Sequence, residues 1–114
     1  MQIKISVPKE LLYILNQVFE IEQKLPDGSS MKRNVSNIRE KFEEMGFSYE
    51  NPIGENYPET RTDCEASIAG VSHEDLVITQ VLKPIIRLKK DGINTIVQKG
   101  IVIVEASEKH LKGK

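Results

Sequence analysis

The chain has no tryptophan, a single cysteine, and aromatic residues at only 5% of its 114 positions. One cysteine, Cys64, excludes an internal disulfide and fits a reducing compartment. No apolar run approaches the roughly 20 residues of a membrane-spanning helix, and the N-terminus lacks the basic-then-apolar order of a signal peptide. Neither sign of charge is in excess. Sixteen basic against 17 acidic residues leave a net charge of −1, so no global field draws nucleic acid or an anionic membrane. Glycine-rich phosphate loops and nucleophile elbows are missing, which removes the usual sequence signs of nucleotide binding and of hydrolytic chemistry. There is no internal repeat and no low-complexity segment. These absences together predict a soluble, cytoplasmic protein that works without a cofactor.

What is present begins with residues 2–7, QIKISV, which alternate polar and apolar at Ile3, Ile5 and Val7. Period two predicts a short strand or an extended arm. Pro8 fits the first turn of a helix, with Ser6 as its cap. From Lys9 to Lys24 the period becomes helical. Leu11, Ile14, Val18, Ile21 and Leu25 step by three and four, the seam of a heptad, and Leu12, Leu15 and Phe19 widen it. Pro26-Asp27-Gly28 ends the helix. A second helix, capped from Ser29 or Ser30, runs to about Met45, with Met31, Val35, Ile38, Phe42 and Met45 on one face and Gly46 as its C-cap. Two such helices joined by a tight turn cannot cover their own apolar stripes. Each large side chain left in water forgoes roughly 1.5–3 kcal/mol. A second hairpin would cover them and give a four-helix bundle across a two-fold axis, with Leu11, Ile14, Val18, Ile21, Val35, Ile38 and Phe42 at the dimer seam. The alternative is that the C-terminal sheet covers the hairpin within one chain.

Asn51 to Ala66 is dense in turn formers, with Ile53 and Tyr57 as possible anchors to a core. Strands dominate from Leu76. Leu76–Leu82 is interrupted by Pro84, and Ile85–Leu88 leads to Asp91-Gly92, a strong hairpin signal, with Ile93–Val97 returning. Lys99-Gly100 is a further turn before Ile101–Val104, and the tail from Ser107 is charged and expected to fray. Helices first and strands second predict an α+β fold. A helical hairpin occupies residues 1–50 and a small β-rich wing residues 51–114.

Other chemistries have weak signals. Cys64 is flanked by Asp63 and Glu65, which disfavour a thiolate, so it reads as inert rather than nucleophilic. His73-Glu74-Asp75 are adjacent and do not converge on a metal as spaced ligands do; they read as a surface turn. His110 has no evident partner. Lys83, Arg87, Lys89 and Lys90 lack the interleaved aromatics of a nucleic-acid platform. Nucleic acid and membrane are therefore not expected partners, and an enzyme is not expected.

Taken in order, these elements resemble the GrpE family of nucleotide exchange factors, cochaperones of DnaK-type heat-shock chaperones. The likeness rests on Leu11–Asn16 as the first hairpin helix and Met45-Gly46-Phe47 as the end of the second. It continues through Pro52-Ile53-Gly54-Glu55-Asn56-Tyr57 as a Pro-x-Gly-Glu-x-aromatic loop, Glu65-Ala66 after it, and Val81-Leu82 and Gly92–Val104 along the wing. It spans about residues 9–106. The chain departs from the family in lacking the long N-terminal helix, in two extra residues between Gly-Glu and Glu-Ala, and in Cys64 where the family has His. It reads as a short, divergent form.

The resemblance implies a homodimer whose wing docks on a chaperone's ATPase domain and holds the nucleotide cleft open, so that ADP leaves faster. No bond is made or broken. The wing must instead bind the open cleft more tightly than the closed one, and a thousandfold shift needs about 4 kcal/mol of differential affinity. Candidate partner-binding residues are Glu55, Tyr57 and Arg61 of the loop, Arg87, Lys89 and Lys90 of the basic hairpin, and Gln98 and Lys99 of the following turn. The bland alternative for the basic hairpin is an edge strand guarded by lysines. A protein–protein adaptor on the same scaffold, without exchange activity, is the second functional expectation.

Overall fold

Helix α1, Lys9–Lys24, forms where the three-four spacing begins, in a computed structural model that describes residues 6–107. Of the expected strand or arm at residues 2–7, residues 2–5 lie outside the described residues, as does the tail beyond Ser107, and Ser6 and Val7 belong to no strand. Ser6 does not cap α1. Pro8 occupies the N-cap with no side-chain hydrogen bond, and its carbonyl accepts from the N–H groups of Leu11 and Leu12 at 3.1 and 3.4 Å. Helix α2, Met31–Glu44, follows a turn in which the Ser29 hydroxyl accepts from the Met31 N–H at 3.2 Å. Gly46 then turns the chain at φ 97°, the left-handed position that favours glycine after a helix.

Six strands follow: β1 Phe47–Glu50, β2 Cys64–Ile68, β3 Leu76–Lys83, β4 Ile85–Lys90, β5 Ile93–Gln98 and β6 Gly100–Ala106. The fold is α+β. The strands form two three-stranded sheets, ordered β1-β4-β5 and β2-β6-β3, and the chain divides into two compact units. The first unit runs to Tyr49 and also takes Ile86–Gln98; the second holds Glu50–Ile85 and the residues from Lys99 onward. The β4–β5 hairpin, expected in the wing, groups with the helices instead.

The first unit is built on Leu15, Phe47, Ile86 and Leu88, with Val7, Leu11, Leu12, Phe42, Tyr49 and Val97 packed against them. The sheet therefore covers one face of the hairpin within the chain, as the alternative to a bundle required. Asp91 and Gly92 both have positive φ, 53° and 79°, and Lys90 pairs with Ile93, which is the tight two-residue turn that Asp-Gly signals. Around Glu22 a polar brace ties the helices to β1. Arg39 and the Tyr49 hydroxyl both donate to the Glu22 carboxylate, at 3.2 and 3.0 Å, and the Arg39 guanidinium lies 4.7 Å from the Tyr49 ring centre. Burial, helped by that hydrogen bond to Glu22, pushes the Tyr49 phenol above its ordinary pKa.

The second unit packs Cys64, Ile78, Ile85, Val102 and Val104, with Tyr57, Leu76 and Val81 at their margin. β6 is its central strand, parallel to β2 and antiparallel to β3. Two strands were hidden in the sequence. β1, Phe-Ser-Tyr-Glu, and β2, Cys-Glu-Ala-Ser-Ile, alternate apolar and polar residues, but over only four and five positions beside a turn-rich stretch, too short a run to stand out as strands. Gly100 has no room for a side chain: an added Cβ would stand 3.0 Å from both the Cys64 sulfur and an Ile85 carbon.

Gly46 combines a left-handed φ with a close approach, because an added Cβ would collide with the Lys89 carbonyl oxygen of β4. Gly46→Ala is expected to lower unfolding free energy by at least about 2 kcal/mol, from backbone strain and displacement of β4 together. Urea denaturation followed by circular dichroism measures it; a midpoint equal to wild type would contradict the packing at this position.

Candidate functional site

The loop from Asn51 to Asp63 is anchored near its start by Pro52, which is fully buried, and not by Ile53, which is 49% exposed. The Asn51 side chain accepts from the Ile53 N–H at 3.1 Å, and the Glu55 N–H donates to the Pro52 carbonyl at 3.1 Å, closing a four-residue turn. Gly54, third in that turn, has φ 81°, which a turn of the second type requires. The loop then runs along the free edge of β3. The N–H groups of Gly54 and Tyr57 donate to the carbonyls of Ile78 and Leu76, each at 2.8 Å, and the Ile78 N–H donates to the Glu55 carbonyl at 2.9 Å. Asn56 bridges Val77 in antiparallel sense. Tyr57 is the anchor: its ring packs on the core and its hydroxyl donates to the Cys64 carbonyl at 3.1 Å.

Arg61 ties the far side of this loop down. Its Nε donates to Asp63 Oδ1 at 2.7 Å and its second terminal nitrogen reaches Oδ2 at 3.4 Å. The remaining nitrogen donates to the Glu55 carboxylate at 2.9 Å and to the Asn56 carbonyl at 3.3 Å. The Arg61 side chain is only 15% exposed. Its hydrogen bond to Asp63 raises its already high pKa. Burial pulls Asp63 upward, but the hydrogen bonds and charge of Arg61 outweigh it and hold that carboxyl below the ordinary range. In the sequence Asp63 reads only as a neighbour of Cys64, and Ile53 as an anchor to the core, which its exposure contradicts. The Arg-x-Asp spacing was the available sign of the first, and the second was assigned to the core on its hydrophobicity alone.

Of the expected partner-binding residues, Glu55, Tyr57 and Arg61 come together in the second unit, Tyr57 and Arg61 mainly as struts. Arg87, Lys89 and Lys90 lie on β4 of the first unit. There Ile86 and Leu88 turn into the core, while Lys89 and Lys90 are exposed and Arg87 is half-buried. β4 is the middle strand of its sheet, so the lysines do not guard an edge. Gln98 pairs with Asn16 of α1 through two reciprocal amide hydrogen bonds of 2.9 Å, and Lys99 is exposed between β5 and β6. Among the expected dimer-seam residues, Val18 and Val35 are buried within the chain, and Leu11 and Phe42 pack on the sheet. Ile14, Ile21 and Ile38 remain 44–49% exposed, as do Met31 and Met45 at 58% and 59%.

His73, Glu74 and Asp75 are all exposed, and the Glu74 N–H donates to the Ser72 hydroxyl at 3.3 Å. Among the described residues, no group of three or more His, Cys, Asp and Glu is arranged to hold a metal ion, and no helix is long and apolar enough to cross a membrane.

Cys64 is buried at the start of β2. Burial, reinforced by the Asp63 carboxylate, pushes its thiol up to about 11. At neutral pH it is expected to react with iodoacetamide at least tenfold more slowly in the native protein than in urea, because the thiolate is scarce and shielded. Mass spectrometry of timed samples measures the ratio; equal rates would place Cys64 in an accessible, ionisable setting.

No family model matches the chain, and no curated protein and no solved structure matches it.

Proposed function

We propose that this protein is a GrpE-like cochaperone that binds the ATPase domain of a DnaK-type chaperone in the cytoplasm and promotes release of ADP. The chaperone half of this proposal rests on the order of motifs along the sequence, from the helical hairpin through Pro52–Tyr57 to the final Val-Ile run. One structural observation carries the other half: the helical hairpin keeps a row of large aliphatic side chains in solvent. Ile14 and Ile21 lie seven residues apart on α1, and Met31 and Ile38 of α2 with its C-cap residue Met45 repeat the same interval. A seven-residue interval returns a helix to nearly the same face, so each set is a stripe. Such stripes are what a four-helix bundle made by two hairpins would bury, and their solvent exposure favours a homodimer.

The activity needs no catalytic group. It requires an open nucleotide cleft to be bound more tightly than a closed one, and a difference of about 4 kcal/mol corresponds to a thousandfold shift. The exposed cations Lys89 and Lys90 of the first unit are the surface feature assigned to that contact. The second reading, an adaptor that binds the chaperone without exchange activity, uses the same surfaces and differs only in kinetics.

Release of a fluorescent ADP analogue from a DnaK-type chaperone of the same organism separates the two in stopped flow. Acceleration that saturates with added protein is expected. A stable complex without acceleration would leave the adaptor, and neither effect would end the chaperone proposal. For the dimer, Ile38→Asp is expected to yield monomers by light scattering, since a carboxylate at a bundle seam would be buried without a partner. An unchanged mass would sink the bundle.

A further inference from the structure

We infer that α2 packs antiparallel against α2 of a second copy, across a two-fold axis at Ile38, with Arg33 of each copy beside Glu44 of the other. The inference rests on the homodimer proposed above and names the helix and the charges at its axis. It starts from a conflict: the charges of α2 run against its own dipole. The first turn holds Lys32 and Arg33 with no acidic residue, and the last turn sets Glu43 and Glu44 against one base, Lys41. A helix carries partial positive charge at its N-terminus and partial negative charge at its C-terminus, so α2 alone is disfavoured at both ends. Helix α1 has the favourable order, with Glu10 in its first turn and Lys24 in its last. Pairs within the chain offset only part of the conflict. Lys32 donates to Asp27 at 3.0 Å and Lys41 to Glu44 at 3.1 Å, and all four side chains keep 40% or more of their surface in solvent.

An antiparallel copy resolves it by laying the basic first turn of each α2 beside the acidic last turn of the other. The sequence is self-complementary in this sense about Ile38. Met31 and Met45 stand seven residues to either side, and Arg33 and Glu44 five before and six after. Each residue advances a helix by about 100°, which puts Asn34 and Lys41 next to the Met31–Ile38–Met45 column, on the side away from buried Val35. Arg33 and Glu44 lie beyond them on that same flank, and all of these side chains but Val35 are exposed to some degree. A two-fold axis perpendicular to the helix returns the flank to itself with its direction reversed. Met31 then meets Met45 of the second copy, Ile38 meets its own counterpart, and Arg33 comes level with Glu44 to within about 1.5 Å of rise. Parallel pairing would instead stack arginine on arginine and glutamate on glutamate. An unrelated partner would require no such symmetry.

The test is a charge swap in the full chain. Sedimentation equilibrium measures the dimer dissociation constant, and native mass spectrometry identifies mixed dimers. Arg33→Glu and Glu44→Arg each turn two attractive pairs into two repulsive ones, and each is expected to raise the dissociation constant about tenfold. Both introduce the sign that the helix dipole favours, so circular dichroism should show the helices retained. Joining the two changes in one chain is expected to restore wild-type affinity, and mixing the two single variants to give mainly the heterodimer. Wild-type affinity in both single variants would overturn the antiparallel contact, since a parallel or α1-centred dimer is indifferent to them. Weakening that neither the joined variant nor the mixture relieves would overturn the Arg33–Glu44 pairing. In either case a wild-type dimer that Ile38→Asp dissociates keeps the homodimer reading. A wild-type chain that is monomeric at every concentration overturns both.

Discussion

The burial of Leu15 against Phe47, Ile86 and Leu88 is the contact on which the first unit depends. It joins an early helix to strands that arrive late in the chain, so everything from Glu50 to Ile85 is an excursion between two parts of one core. Bringing such distant segments together costs loop-closure entropy that grows only slowly with length. Each fully buried aliphatic side chain returns roughly 1.5–3 kcal/mol, enough for a handful of them to hold the closure. Leu15 and Ile86 are both fully buried, whereas no residue of the hairpin's outer stripes is. The amide pair of Asn16 and Gln98 sits next to the same contact in sequence and closes the late strand onto α1.

Within the second unit the corresponding problem is an edge. β6 lies between β2 and β3, so both outer strands expose backbone groups. β3 is covered by the loop, through three backbone hydrogen bonds between residues 54–57 and 76–78. Arg61 and Tyr57 keep the loop there, one by ion pairs and the other by packing. Among the described residues no buried side-chain nitrogen or oxygen lacks a partner, in keeping with a loop that meets its polar needs internally.

If the protein acts as proposed, the same economy serves recognition. Tyr57 and Arg61 hold the loop, and Glu55 both pairs with Arg61 and keeps part of its side chain in solvent. A rigid display lowers the entropic cost of binding, which matters for a protein whose effect depends on a difference of a few kcal/mol between two states of its partner. Among the expected contact residues, Tyr57, Arg61 and Gln98 are largely committed inside the chain, and Lys89, Lys90, Glu55 and Lys99 keep substantial exposure.

The local elements were legible in the sequence for local reasons. Helical spacing placed α1 from Lys9 to Lys24, Gly46 marked the end of the second helix, and Asp91-Gly92 specified a hairpin turn. Each depends on interactions within a few residues, and together they determine the α+β class. The hydrophobic seam was legible as a stripe, but its division was not. Only packing decided that Val18 and Val35 face inward while Ile14, Ile21 and Ile38 stay in solvent. Tertiary structure alone created β1 and β2 as strands, assigned β4 and β5 to the helical unit, buried Pro52 in place of Ile53, and turned Arg61 into a clamp. Short strands gain their hydrogen bonds from partners far along the chain, and an arginine's role is set by the carboxylates that folding brings to it.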